Sequence, residues 1–114
     1  MTFEVVIHRL ARRDLSESYS YAAARAPQTA TRWLERFEQA LSALGQNPER
    51  CRLAFEKSKT DIELREFLFG RRPNVFRVVF VIDGHKVRIL RILRAQRRFL
   101  TRRQIRDALD AGDE

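Results

Sequence analysis

The sequence has one cysteine, Cys51, so an internal disulfide is excluded. A chain of this kind suits a reducing compartment, the cytoplasm, and Cys51 reads as a small apolar residue near a helix end. Long hydrophobic runs are missing too. The longest strictly apolar stretch is VVFVI, Val78 to Ile82, far too short to span a bilayer. The opening MTFEVVIHRLARRD is broken by Glu4 and His8 and lacks the layout of a signal peptide. No membrane association is therefore expected. Histidine is scarce: His8 and His85 stand far apart without metal-ligand spacing. GxGxxG, Walker and GxSxG motifs are missing, so neither a metal nor a cofactor is expected. Carboxylates are missing from Gly84 through Arg106.

What is present is a core and a strong positive charge. The chain has 114 residues, 44% of them hydrophobic, with eight Phe and one Trp. That supports a single folded domain, residues 1–114, with a real core. The net charge is +8 and its excess lies in the C-terminal half. Such a field attracts nucleic acid, an anionic surface or an acidic protein. Arginine far outnumbers lysine, which favours bidentate contacts to phosphate and carboxylate.

The apolar spacing changes along the chain. In TFEVVIHRL, Thr2 to Leu10, Phe3, Val5 and Ile7 alternate with their neighbours, the period of a strand. From Ala11 the stripe Leu15, Tyr19, Ala22, Ala26 is helical. Pro27 can open a second helix, in which Ala30, Trp33, Leu34, Phe37, Leu41 and Leu44 keep a helical period. Gly45 offers a C-terminal cap and Pro48 blocks continuation. The two helices predict a hairpin laid on a sheet. Glu49 to Asp61 reads as a polar loop, and Ile62 to Phe69 as a strand that is apolar on both faces. GRRPN, Gly70 to Asn74, is a turn. Asp83-Gly84 between two β-branched runs marks a hairpin joining Val75–Ile82 to Lys86–Leu93. Thr101 with Gln104 fits a capping box, and Leu100 with Ile105 a hydrophobic staple, so a short basic helix is expected over 102–111. The fold class is α+β, β-α-α-β-β-β(-α), with the helical hairpin on one face of a small, mainly antiparallel sheet.

Regular pairing of the hairpin assigns faces. Phe76, Val78, Phe80 and Ile82 would share the core face with Val87, Ile89, Arg91 and Leu93. Arg77, Lys86, Arg88 and Arg94 would gather on the other. For any single arginine a solvated face is the ordinary reading. For the set, like charges on adjacent strands repel, so stability alone would not select them.

This order of elements, with ARRDL at the first helix, APQTATRWLERFEQALSALGQNPERC in the second helix and its turn, then ELREF, FRVVFVIDG and a basic ILRAQRRFL, resembles the RelE/ParE superfamily of bacterial type II toxins. The similarity runs from about Phe3 to Leu100. It implies a toxin that inhibits growth, that can serve plasmid stabilisation, and that is held by a cognate antitoxin in a hetero-oligomer. It also implies one of two targets. RelE-like members are ribosome-dependent mRNA endonucleases; ParE-like members poison DNA gyrase. Arg65, Arg77 and Arg94 match the family's basic positions and are the candidate site residues, catalytic only in an RNase. Metal-free RNA cleavage also needs a proton-transfer group. The nucleases commonly carry Tyr or His near the C-terminus, where this chain has Ala95, Gln96, Phe99 and Leu100. That departure favours the ParE-like, gyrase-directed reading. A basic nucleic-acid-binding module is a lesser alternative, since the arginines are not interleaved with aromatics for stacking.

Overall fold

The computed structural model describes residues 2–113. In chain order it contains β1 (Glu4–Ile7), α1 (Arg9–Ala23), α2 (Pro27–Ala43), β2 (Arg65–Arg71), β3 (Asn74–Asp83), β4 (Lys86–Arg94) and α3 (Arg102–Ala111). Two short helical turns, Pro48–Arg50 and Phe55–Lys59, lie between α2 and β2. The four strands form one sheet in the order β1-β4-β3-β2. β1 runs parallel to β4, and the other pairs are antiparallel. The α+β architecture and the helical hairpin follow the sequence pattern.

The helices form where the pattern placed them. Pro27 occupies the first turn of α2, where its missing N–H removes no helical bond. Ala30, Phe37, Leu41 and Leu44 are buried, and Trp33 and Leu34 pack against the same cluster. Phe37 stacks on Phe69 of β2 at 4.3 Å between ring centroids and meets Trp33 edge-on at 5.3 Å. In α3 both halves of the capping box are made. The Thr101 hydroxyl accepts from the Gln104 N–H at 3.1 Å, and the Thr101 N–H donates to Gln104 Oε1 at 2.9 Å. Leu100 and Ile105 are both buried in one cluster.

Three expectations are corrected. Gly45 is not a left-handed cap; the left-handed residue is Asn47, at φ 54°. Gly45 is required because the chain just ahead of β1 passes so close: a Cβ there would lie 2.6 Å from the Phe3 carbonyl oxygen. The Phe3 N–H donates to the Gly45 carbonyl at 2.8 Å. The segment 49–61 is not a plain polar loop either, since its second helical turn buries Glu56 completely.

The third correction concerns register. Phe80 pairs with Ile89 and Val79 with Arg91, so Leu90 has no partner opposite it. This β-bulge reverses the parity of β4 beyond it. Ile92 joins the hairpin-side core, Leu93 joins Val79, Val81 and Leu90 in a core on the opposite face, and Arg94 faces Phe76 on the hairpin side. Arg77, Lys86, Arg88 and Arg94 therefore do not gather on one face.

The second core is roofed by α3, through Ile105 and Ala108, and by Ala54 and Leu64 of the segment before β2. Both faces of the central strands are covered, which accounts for the two-sided apolar character of β3 and β4, while Leu68 on the edge strand β2 stays exposed.

The bulged strand meets α1 through one carboxylate. Asp14 pairs with Arg91, accepting from Nε at 2.7 Å and from Nη2 at 3.0 Å. The same carboxylate accepts from the Ile92 N–H at 3.0 Å. β1 has ended at Ile7, so Asp14 satisfies an edge N–H of β4 that the short strand does not reach.

Gly45→Ala tests the close approach. At an ordinary backbone angle with free space, this change stabilises by about 0.4–1 kcal/mol. Against the Phe3 carbonyl it is expected to cost about 1–3 kcal/mol, as overpacking does, read as a lowered midpoint in urea.

Candidate functional site

The candidate residues are placed by three different parts of the fold. Arg77 sits mid-strand in β3 on the face away from the helical hairpin and is only 4% exposed. Apolar residues flank it, so a guanidinium there requires carboxylate partners. Glu56 supplies the first as a bidentate acceptor, from Arg77 Nη1 at 3.1 Å and Nη2 at 2.7 Å. Glu66 of β2 supplies the second, accepting from Arg77 Nε at 3.2 Å. The other oxygen of Glu66 takes Arg52, at 2.7 Å from Nε and 2.6 Å from Nη2. Two arginines and two carboxylates thus alternate in one chain of ion pairs, Arg52–Glu66–Arg77–Glu56.

Glu56 carries a further duty. Its Oε2 accepts the Leu100 N–H at 2.8 Å, tying the segment before α3 to the helical turn. Lys59 Nζ donates to the Leu100 carbonyl at 3.0 Å, and Arg102 Nε to the Lys59 carbonyl at 3.0 Å. Phe99 lies over Arg77, ring centroid to guanidinium carbon 5.2 Å, and stacks on Phe55 at 4.1 Å. Burial pushes the Glu56 carboxyl up, but the hydrogen bonds from Arg77 and from Leu100 outweigh it and hold the group below the usual carboxylate range.

Arg65 is engaged differently. Its Nη1 donates to the carbonyls of Cys51 at 2.7 Å and Glu49 at 3.3 Å, and its Nη2 pairs with Glu63 at 2.7 Å. It pins the turn after α2 to the start of β2. The Cys51 thiol beside it is pushed up by burial, against the nearby Arg50 and Arg65 charges.

Arg94, on the hairpin side, lies over Phe76 at 5.5 Å and donates to Asn74 Oδ1 at 3.4 Å. It lines a groove of about 720 Å³ between the α1–α2 hairpin and the far ends of β3 and β4. Trp33, Phe76 and Ile92 give this groove apolar lining; Arg25, Arg94 and Arg97 add positive charge.

Arg77 and Arg94 therefore point to opposite faces of the sheet, and Arg65 stands at the β2 edge. The three expected arginines are not one site. Sequence reasoning missed Glu56. The available signal was indirect: an arginine inside FRVVFV demanded a carboxylate from elsewhere, without saying which. Among the described residues no three His, Cys, Asp or Glu side chains converge as metal ligands. No described helix is long and apolar enough to cross a membrane.

A small α+β domain with a helical hairpin on a four-stranded sheet has the build of a RelE/ParE-like toxin. The family model described as ParE toxin of type II toxin-antitoxin system, parDE, matches residues 5–99. The chain belongs to this ParE toxin family. Among solved structures it is similar to a chain of the chromosomal ParDE TA system from P. aeruginosa, with 21% identity over 83% of this chain and 98% of that one, at a TM-score of 0.66. At that identity the likeness speaks for the fold. No curated protein matches the chain.

The ion-pair network makes a prediction in two parts. Glu56→Gln leaves Arg77 buried with one partner fewer and is expected to cost about 3–5 kcal/mol of stability, seen in denaturant melts. In the wild type the stabilisation from Glu56 is complete above about pH 4.3, the unfolded carboxyl value, and is lost as pH falls through the lower folded value. The variant is expected to lack that limb of the acid-denaturation profile.

Proposed function

We propose that this chain is the toxin of a type II toxin–antitoxin pair, that a cognate antitoxin neutralises it, and that it acts in the cytoplasm on DNA gyrase without cutting RNA. One observation carries the choice of target. An RNase of this superfamily needs its arginines turned toward one phosphate, yet Arg77 is neutralised by Glu56 and Glu66 beneath Phe99, and Arg94 faces the other way. Glu66, which otherwise offers a carboxylate for proton transfer, is 8% exposed and paired with two arginines. Inhibition by surface contact requires no proton-transfer group.

The groove beside Arg94 suits the antitoxin. An amphipathic segment that is flexible alone and folds on binding could lay apolar side chains on Trp33 and Phe76 and carboxylates against Arg25, Arg94 and Arg97. The relative from P. aeruginosa belongs to a system named for both toxin and antitoxin, which supports looking for such a partner in the neighbouring reading frame.

Purified protein is expected to block supercoiling by gyrase and to leave mRNA intact in a translating ribosome extract. Untouched supercoiling together with mRNA cut on the ribosome would return the chain to the endonuclease reading. For the groove, the double charge reversal Arg94→Glu, Arg97→Glu is expected to weaken the complex with the co-expressed antitoxin at least tenfold and to retain a cooperative melt. An unchanged affinity would move the antitoxin elsewhere.

A further inference from the structure

The face opposite the groove carries exposed apolar surface that the fold does not use. Phe55 is 57% exposed, Phe99 45% and Leu68 44%. These are not scattered. Phe55 and Phe99 stack on one another, Phe99 lies over Arg77, and Leu68 is the β2 residue directly opposite Arg77. A single exposed phenylalanine is ordinary, but three large apolar side chains grouped around one buried guanidinium are not.

The surroundings are cationic. Arg52, with 67% of its side chain exposed, reaches into this cluster through Glu66. Lys57 follows Phe55 in the same helical turn, Arg98 precedes Phe99, and both are exposed. The two carboxylates of the cluster, Glu56 and Glu66, are buried and already paired. The rings are also held in place before any partner arrives, Phe99 by the bond between its neighbour Leu100 and Glu56. Preorganised aromatic side chains beside arginine suit the centre of an interface, and exposed charges suit its polar rim.

From this we infer that the Phe55–Phe99 stack, with Leu68 and the rim of Arg52, Lys57 and Arg98, is a second docking surface, and that its occupant is an acidic protein. The inference rests on the toxin reading above and assigns this surface to the target, leaving the opposite groove to the antitoxin. Charge decides among occupants. A second copy of a chain with net charge +8 would bring like rims together. A single nucleic-acid strand needs successive open ring faces, whereas here the rings cover each other and Phe99 turns its remaining face toward Arg77. An acidic protein surface with an apolar centre matches both the rings and the rim.

The test uses the full-length protein, induced in cells and purified, with Phe55→Ser and Lys57→Glu as separate variants. Neither residue contributes to the buried network, so both variants are expected to melt cooperatively. Each should need at least tenfold more inducer than wild type to arrest growth, while affinity for the co-expressed antitoxin stays within twofold. Wild-type arrest matched by both variants would sink the docking surface and leave the toxin reading intact. A wild type that does not arrest growth would bring down the toxin reading and this surface together. A labelled single-stranded oligonucleotide and vesicles containing an anionic phospholipid are titrated in parallel. If Phe55→Ser weakens binding to either of these as much as it weakens arrest, the occupant is nucleic acid or membrane, and the acidic protein is wrong.

Discussion

The pairing of Arg77 with Glu56 is the constraint on which much of this structure depends. A guanidinium in the middle of a central strand is tolerable only when its charge is met nearby. Glu56 meets it from a segment with little regular structure, and the same carboxylate then holds the Leu100 N–H. One side chain thereby fixes three things: the path of the chain before β2, the position of α3, and the covering of the second sheet face. The core beneath α3 is apolar, but the ion pair gives the roof a single seat. Whether such a pair contributes net stability is a separate matter from the register it imposes.

How much of this was readable in advance depended on whether local spacing carried the information. The helices, the Asp83-Gly84 hairpin and the capping box at Thr101 are local, and the structure has them where the spacing predicts. RILRILR was readable only in part. A three-residue repeat cannot keep a fixed face in a strand, whose period is two. The protein reconciles the two with one bulge at Leu90, which puts Ile89 and Ile92 on one face and Leu90 and Leu93 on the other. Regular pairing therefore misassigned Arg94. Gly45 was noticed for the wrong reason, because its need arises from the Phe3 carbonyl just ahead of β1, which leaves no room for a Cβ. Glu56 was invisible because its partners, Arg77 in β3 and the Leu100 N–H ahead of α3, both come later in the chain. The strand that carries each candidate arginine was legible, and their separation onto two faces was not.

Covering both faces of the sheet leaves the molecule with two unlike surfaces. The hairpin side has a recessed groove with Trp33 and Phe76 in its lining and arginines at its end. The opposite side has raised aromatic rings over a neutralised network. A recess accepts an inserted segment, and a raised patch meets a preformed surface. Arginines stand at both surfaces, so the two differ in shape more than in the sign of their charge.

The parallel pairing of β1 with β4 sets an order of assembly. Glu4 stands opposite Lys86, with both helices and two strands between them in sequence. During synthesis the first strand leaves the ribosome long before its sheet neighbour β4 exists. The helical hairpin, built from local contacts, can form early, but the sheet closes at that edge only after β4 emerges. Asp14 waits in the same way for Arg91 and Ile92. A chain wired like this completes its groove late, and until then both walls of that groove are not present in one molecule.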